Sequence, residues 1–205
     1  MAAGVDEAMA AFAAQAAQGH IGRARRLATD EAARLERKEV LALPGSLQTV
    51  GGALQAAKNL VDAAKAEAAE LVAARDVPER EALATALGAG ATGKGYSSAV
   101  PRGGAGALKA LEKNQKSRAT RTQRDSLDRA LVDLAAFYRD VLALQLGSSA
   151  VPVHSDLTGQ AKALAGSSTP EQTLRRIEAV LACRTALEGN VNPQLAVDAL
   201  ALALR

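Results

Sequence analysis

A chain of 205 residues, 48% hydrophobic and 23% charged, has the apolar material for one or two modest cores, which excludes a disordered tail. Its net charge of +3 is far from the block-wise positive charge of a dedicated nucleic-acid arm. The single cysteine, Cys183, excludes an internal disulfide; with no second Cys or nearby His at metal spacing, it fits a reducing compartment.

Aromatic residues make up 2% of the chain (Phe12, Tyr96, Phe137 and Tyr138), so any core must be built from Leu, Val and Ala. Such residues pack helix on helix, whereas strands favour β-branched and aromatic side chains, and the fold class expected is all-α. Asp6, Glu7, Gln15 and Gln18 interrupt the Ala-rich start and spoil a signal-peptide core. No run approaches the ~18 apolar residues of a membrane span, so a cytoplasmic setting without membrane contact is expected.

In chain order, Val5, Met9, Phe12 and Ala16 mark one face of a helix over 5–17, ended by Gly19. His20-Ile21-Gly22 reads as a short turn into 23–28, and Thr29-Asp30 caps a helix to about Leu43, closed by Pro44-Gly45. Ser46 is the next expected cap. The helix after it runs to about Arg75, buries Leu47, Val50, Leu54, Leu60, Val61 and Leu71, and is weakened at its start by Gly51-Gly52. Pro78 opens a separate helix to Leu87. Residues 88–104 read as a flexible loop, and 105–146 as a helix with an apolar stripe of Leu127, Leu131, Leu134, Phe137 or Tyr138, Val141 and Leu142. Three shorter helices follow, over about 155–165, 170–187 behind a Ser168-Thr169 cap, and 193–204 behind Asn192. No internal repeat of fixed period is present.

Residues 88–95, Gly-Ala-Gly-Ala-Thr-Gly-Lys-Gly, match the spacing of a phosphate-binding loop as far as Lys94. The magnesium-holding Ser or Thr is replaced by Gly95 and the preceding stretch reads as helix, so the segment is read as a linker. His20 and His154 lie far apart with no ligand partners at suitable spacing, and no metal or cofactor is expected. Cys183 sits beside Val180 and Leu181 and reads as a buried, inert thiol. No catalytic residue stands out. A basic stretch does: Lys109, Lys113, Lys116, Arg118, Arg121, Arg124 and Arg129, with no acid between Lys113 and Arg124. Its expected state is a solvated helix face, the alternative being contact with an acidic partner or a phosphate backbone, without aromatics for base stacking.

Gly19-His20-Ile21-Gly22-Arg23-Ala24 resembles the sensor-2 turn in the small helical lid of clamp-loader subunits. Residues 184–200, Arg-Thr-Ala-Leu-Glu-Gly-Asn-Val-Asn-Pro-Gln-Leu-Ala-Val-Asp-Ala-Leu, resemble the closing helices of their collar domain. Between them, 116–131 (Lys-Ser-Arg-Ala-Thr-Arg-Thr-Gln-Arg-Asp-Ser-Leu-Asp-Arg-Ala-Leu) and Phe137-Tyr138-Arg139-Asp140 are similar to delta prime subunits of DNA polymerase III from GC-rich bacterial genomes. The similarity extends over nearly the whole chain.

This resemblance implies a structural subunit of the five-membered machine that opens a sliding clamp and closes it on primed DNA. Collar domains would pack side by side, with the tau or gamma subunit and the delta subunit as partners, and with clamp and DNA reached only through the assembly. It also implies a remnant AAA+ lid over 1–43 and a helical collar over 44–205. The N-terminal nucleotide-binding domain of such subunits, with its activating arginine and four-cysteine zinc site, is not in the sequence, so the chain is expected to be the lid-and-collar part of a longer protein. ATP-using relatives carry an arginine where Gly22 stands, three residues after the glycine matching Gly19. Arg23 is one step later, rotated about 100°, and is not expected to reach a nucleotide. The residues expected at partner surfaces are Lys113, Lys116, Arg118, Arg121, Arg124, Arg184, Asn190 and Asn192. Alternatives from other classes are a basic helical nucleic-acid-binding module using Lys113 to Arg124, and a nucleotide-binding fragment using Lys94.

Overall fold

The structure, a computed structural model, describes residues 4–87 and 104–205. The Gly-rich stretch and Lys94 lie outside the described residues. Within them the regular structure is eight α-helices and two short 3-10 turns, as the all-α reading expects. The helices are α1 (Glu7–Ala16), α2 (Ile21–Thr29), α3 (Glu31–Ala42), α4 (Val50–Ala86), α5 (Gly104–Gln145), α6 (Thr158–Ser167), α7 (Pro170–Glu188) and α8 (Pro193–Ala203). No helix among the described residues is long and apolar enough to cross a membrane.

Local chemistry sets most boundaries. Asp6 and Asp30 accept from the amides of Met9 (2.7 Å) and Ala33 (3.3 Å), satisfying donors that a helix start leaves open. Gln18 and Gly19 both take positive φ, 50° and 88°, and reverse the chain between α1 and α2. The expected turn at His20-Ile21-Gly22 is instead a cap followed by helix: His20 Nδ1 accepts from the Arg23 amide at 3.1 Å, and Ile21 and Gly22 are already helical. Ser46 is likewise no cap, because its hydroxyl turns back to the Leu43 carbonyl at 2.8 Å. Thr49 Oγ1 does that work, accepting from Gly52 N at 3.0 Å.

The division of 46–87 into two helices is also corrected, since α4 runs unbroken with Pro78 inside it. A proline within a helix costs about 3 kcal/mol, and the residues on both sides of it are fastened to α5, which offsets that cost. Gln115 Nε2 donates to the Asp76 carbonyl at 3.0 Å, and Arg80 Nε donates to Gln115 Oε1 at 2.7 Å. Arg118 reaches Asp76 at 2.7 Å and Glu79 at 3.0 Å. That guanidinium, followed by Arg75, holds the Glu79 carboxyl below its ordinary range.

The chain forms two compact units, one of residues 1–61 with 128–205, the other Asp62–Leu127. In the second, the latter part of α4 and the first part of α5 lie antiparallel. The Ser126 hydroxyl bonds the Glu67 carboxylate, Arg118 bonds Asp76, and Arg80 bonds Gln115, pairs that descend along one helix as they ascend the other. Between them the buried face of α4 is small: Ala64, Ala68 and Val72. The sequence reading placed Val50, Leu54 and Leu71 inside, yet they are 49%, 38% and 52% exposed, while Ala53 and Ala57 are fully buried. Ala53, Ala57, Val61, Ala64, Ala68 and Val72 follow one another at spacings of three and four and make an inward seam that is mostly alanine, with Val61 inside as expected, while Val50, Leu54 and Leu71 face outward.

The first unit has a conventional core. Leu131, Leu134, Phe137, Tyr138 and Val141 of α5 are buried, each contributing roughly 1.5–3 kcal/mol on leaving water. Phe137 and Tyr138 meet edge to face with centroids 5.7 Å apart. Around the N-terminal helices, Ala13, Ala16, Leu27 and Ala33 form a small cluster with Phe12 and Ala28 against it.

Candidate functional site

A buried polar cluster joins α2, α3 and α5 to the segment just before α6. Arg37, only 5% exposed, donates to Asp156 Oδ2 at 3.0 Å and Oδ1 at 3.1 Å, and to His154 Nδ1 at 2.7 Å. Its guanidinium lies 5.1 Å over the Phe12 ring. A guanidinium can only donate, so His154 Nδ1 must accept and the ring hydrogen resides on Nε2, which donates to the Asp133 carbonyl at 3.0 Å. The amides of Val153 and His154 donate to the Asp140 carboxylate at 3.0 and 2.8 Å. Arg23 completes the set by pairing with Asp133, the two side chains 11% and 6% exposed. The arginine of the sensor-2-like turn is thus held within its own chain.

The electrostatics of this cluster follow from burial. Desolvation, then the neighbouring Arg37, lowers the His154 pKa, which keeps the ring neutral. Burial raises the Asp133 carboxyl against the pull of Arg23. At Asp156 burial acts upward too, but the bonds from Arg37 outweigh it and the net shift is downward. Because the folded pKa of His154 lies below its unfolded value near 6.5, the folded state binds fewer protons at this site. The stability it contributes is present above pH 6.5 and is lost as pH falls from there through the folded pKa. Urea midpoints at pH 7.5 and 5.5 should therefore drop more in the parent chain than in His154→Gln, which has nothing to titrate. An equal drop in both would contradict this assignment.

The closing helices present a different kind of surface. Thr169 and Gln172 form a reciprocal capping box at the start of α7, with Pro170 at its first position. Asn192 Oδ1 accepts from Gln194 N at 2.9 Å and Leu195 N at 3.5 Å to start α8. Asn190 adopts φ 63° in the turn between them. Inward, Thr173, Val180, Cys183 and Leu187 of α7 and Ala196, Val197, Leu200 and Ala201 of α8 are buried. Burial pushes the Cys183 thiol up to about 11, so it is chemically quiet at neutral pH. Outward, Leu174 and Leu181 of α7 are 48% and 46% exposed, and Leu195 and Leu202 of α8 are 64% and 43% exposed. Each pair is seven residues apart, two helical turns, so each marks one outer face of its helix.

The residues expected at partner surfaces therefore divide. Asn190 and Asn192 shape the α7–α8 turn. Arg184 pairs with Asp128 at 2.7 Å, and Arg118 with Asp76 and Glu79. Arg124 is half-buried, with its Nε enclosed and without a partner among the described residues. Lys113, Lys116 and Arg121 are exposed. The sequence reading missed the Arg37–His154 cluster, whose members are joined across more than a hundred residues and share no local pattern. It also missed the outward leucines, although their seven-residue spacing is visible in the sequence.

Among the described residues no three His, Cys, Asp or Glu side chains come together as a metal-binding set. No curated protein and no solved structure matches the chain. Residues 111–205, which carry most of α5 and all of α6 to α8, match the family model of the C-terminal part of the DNA polymerase III delta subunit.

Proposed function

We propose that this chain is a non-catalytic structural part of a bacterial DNA polymerase III clamp loader, its 44–205 region acting as a collar that packs beside neighbouring subunits. The observation that carries the reading is the coincidence of two features in the closing segment. The stretch that matches a clamp-loader family is also the one whose final helices turn leucines outward at two-turn spacing. Exposed leucines in register suit burial against another helix, and a stable interface of this kind normally exceeds ~1,000 Å². Residues 1–43 would be the remnant lid, with Arg23 committed to Asp133 and so withheld from a nucleotide.

The matching model names the delta subunit, while the residues at 116–131 and 137–140 are similar to delta prime. On that likeness we assign the chain to the delta prime position, working in the cytoplasm with tau or gamma and a separate delta as neighbours. Co-purification with both proteins of the same organism, followed by light scattering, tests this. A stoichiometric complex containing all three is the expected result. Co-elution with tau or gamma that excludes added delta would move the chain to the delta position, and no complex from a helical, folded chain would refute the collar reading. In the same assay Leu181→Asp combined with Leu202→Asp should weaken association by about 30-fold or more while leaving helicity intact, since both positions face water in the isolated chain.

A further inference from the structure

We infer that the outer face of α5 between Lys109 and Arg121 is a docking surface for the phosphate backbone of a nucleic-acid duplex. Lys109, Lys113 and Lys116 recur at intervals of four and three, which aligns them on one helix face spanning about 10 Å along the axis. That face lies away from the side of α5 that meets α4, where Gln115, Arg118 and Ser126 make their bonds. All three lysines and Arg121 are exposed, and none is held by a hydrogen bond or ion pair among the described residues. The nearby Arg118, by contrast, is neutralised by Asp76 and Glu79. Glu112 is the one acid among the described residues between Lys109 and Arg124, and it leaves a net positive surface.

The composition of the face selects the partner. Large exposed hydrophobics occur on α2, α3, α4, α7 and α8 but nowhere on α5 before Leu146 among the described residues. Protein interfaces place aromatic and aliphatic anchors at their centre and are depleted of lysine, so this surface lacks the anchors an acidic protein would need. Phosphate contacts draw on Lys and Arg with Ser, Thr and Asn beside them. Asn114 and Ser117 supply such neighbours on exposed positions of the same segment. Single strands are held largely by stacking on aromatics, and this segment has none, which favours the duplex and predicts no sequence preference.

The test is fluorescence anisotropy of the full 205-residue chain with a labelled 20-base-pair duplex between 50 and 200 mM KCl, beside a polyglutamate peptide as competitor. Three to four neutralised phosphates give a slope of log K against log salt of about −3. Each such contact counts for about 8-fold at 0.1 M salt, so Lys109→Glu, Lys113→Glu and Lys116→Glu together should weaken binding on the order of 10²-fold and flatten the slope. The corresponding triple Gln variant should shift both in the same direction, and it reads the effect should the Glu variant lose its helicity. The pair Leu181→Asp and Leu202→Asp should bind the duplex unchanged, which separates this surface from the collar interface. Absence of duplex binding at 50 mM salt, an unchanged slope in both lysine variants, or binding of polyglutamate in preference to the duplex would overturn the inference.

Discussion

Replacing Arg37 with alanine should destabilise the first unit by about 2–4 kcal/mol, read as a shift of the urea midpoint followed by circular dichroism. Three losses combine. His154 Nδ1 would be left buried without a donor, which costs about 1–3 kcal/mol. The stacking over Phe12 would vanish, worth about 0.5–2 kcal/mol where water is excluded. Asp156 would lose both of its bonds to Arg37, but it is 38% exposed on its side chain and water would rescue part of the deficit, keeping the total below that of a fully enclosed pair. Arg37→Lys should recover only part of the loss, because an ammonium cannot present the planar fork that meets Asp156 through two nitrogens while bonding His154. A shift smaller than about 0.5 kcal/mol, the range of ordinary surface substitutions, would show that the cluster is no brace for the N-terminal helices.

Leu134→Ala should cost about 2–5 kcal/mol, since Leu134 has no exposed surface and its neighbours Leu131, Phe137 and Tyr138 are equally enclosed. Leu181→Ala, 46% exposed on α7, should stay within about 0.5 kcal/mol in the isolated chain. The contrast links stability to function. If the outer leucines serve association, Leu181→Ala is silent in unfolding and visible only in complex formation. A loss at Leu181 comparable to that at Leu134 would mean that α7 buries its outer face within its own chain.

The helical character and the closing third were legible because the signals there are local. Proline at the first helical position, the Thr169 cap and Asn192 each act within a few residues of themselves. The stripe from Leu127 to Val141 was legible for a related reason, since large apolar residues at helical spacing have few places to go but inward. The same logic failed on α4. There the inward face is mostly alanine, and a rule that sends the largest apolar residues to the core selects Val61 rightly but also Val50, Leu54 and Leu71, which face outward. Pro78 misled by a similar route, since a breaker read locally cannot register the bonds Asp76, Glu79 and Arg80 make with α5. The Arg37–His154–Asp133 cluster was out of reach altogether. Nothing near Arg37 in the chain announces a partner 117 residues away.

The alanine seam of α4 has a bearing on how its hairpin with α5 finds alignment. Alanines are interchangeable knobs, so sliding one helix past the other by a turn or two would bury nearly the same surface, and shape alone would leave several alignments close in energy. Charged and amide side chains are not interchangeable. A slipped hairpin would part Glu67 from Ser126, and would leave Asp76 and Gln115 buried without Arg118 and Arg80. As with the lone buried polar residue that fixes the register of a coiled coil at some cost in stability, these few pairs carry the address that the alanines cannot.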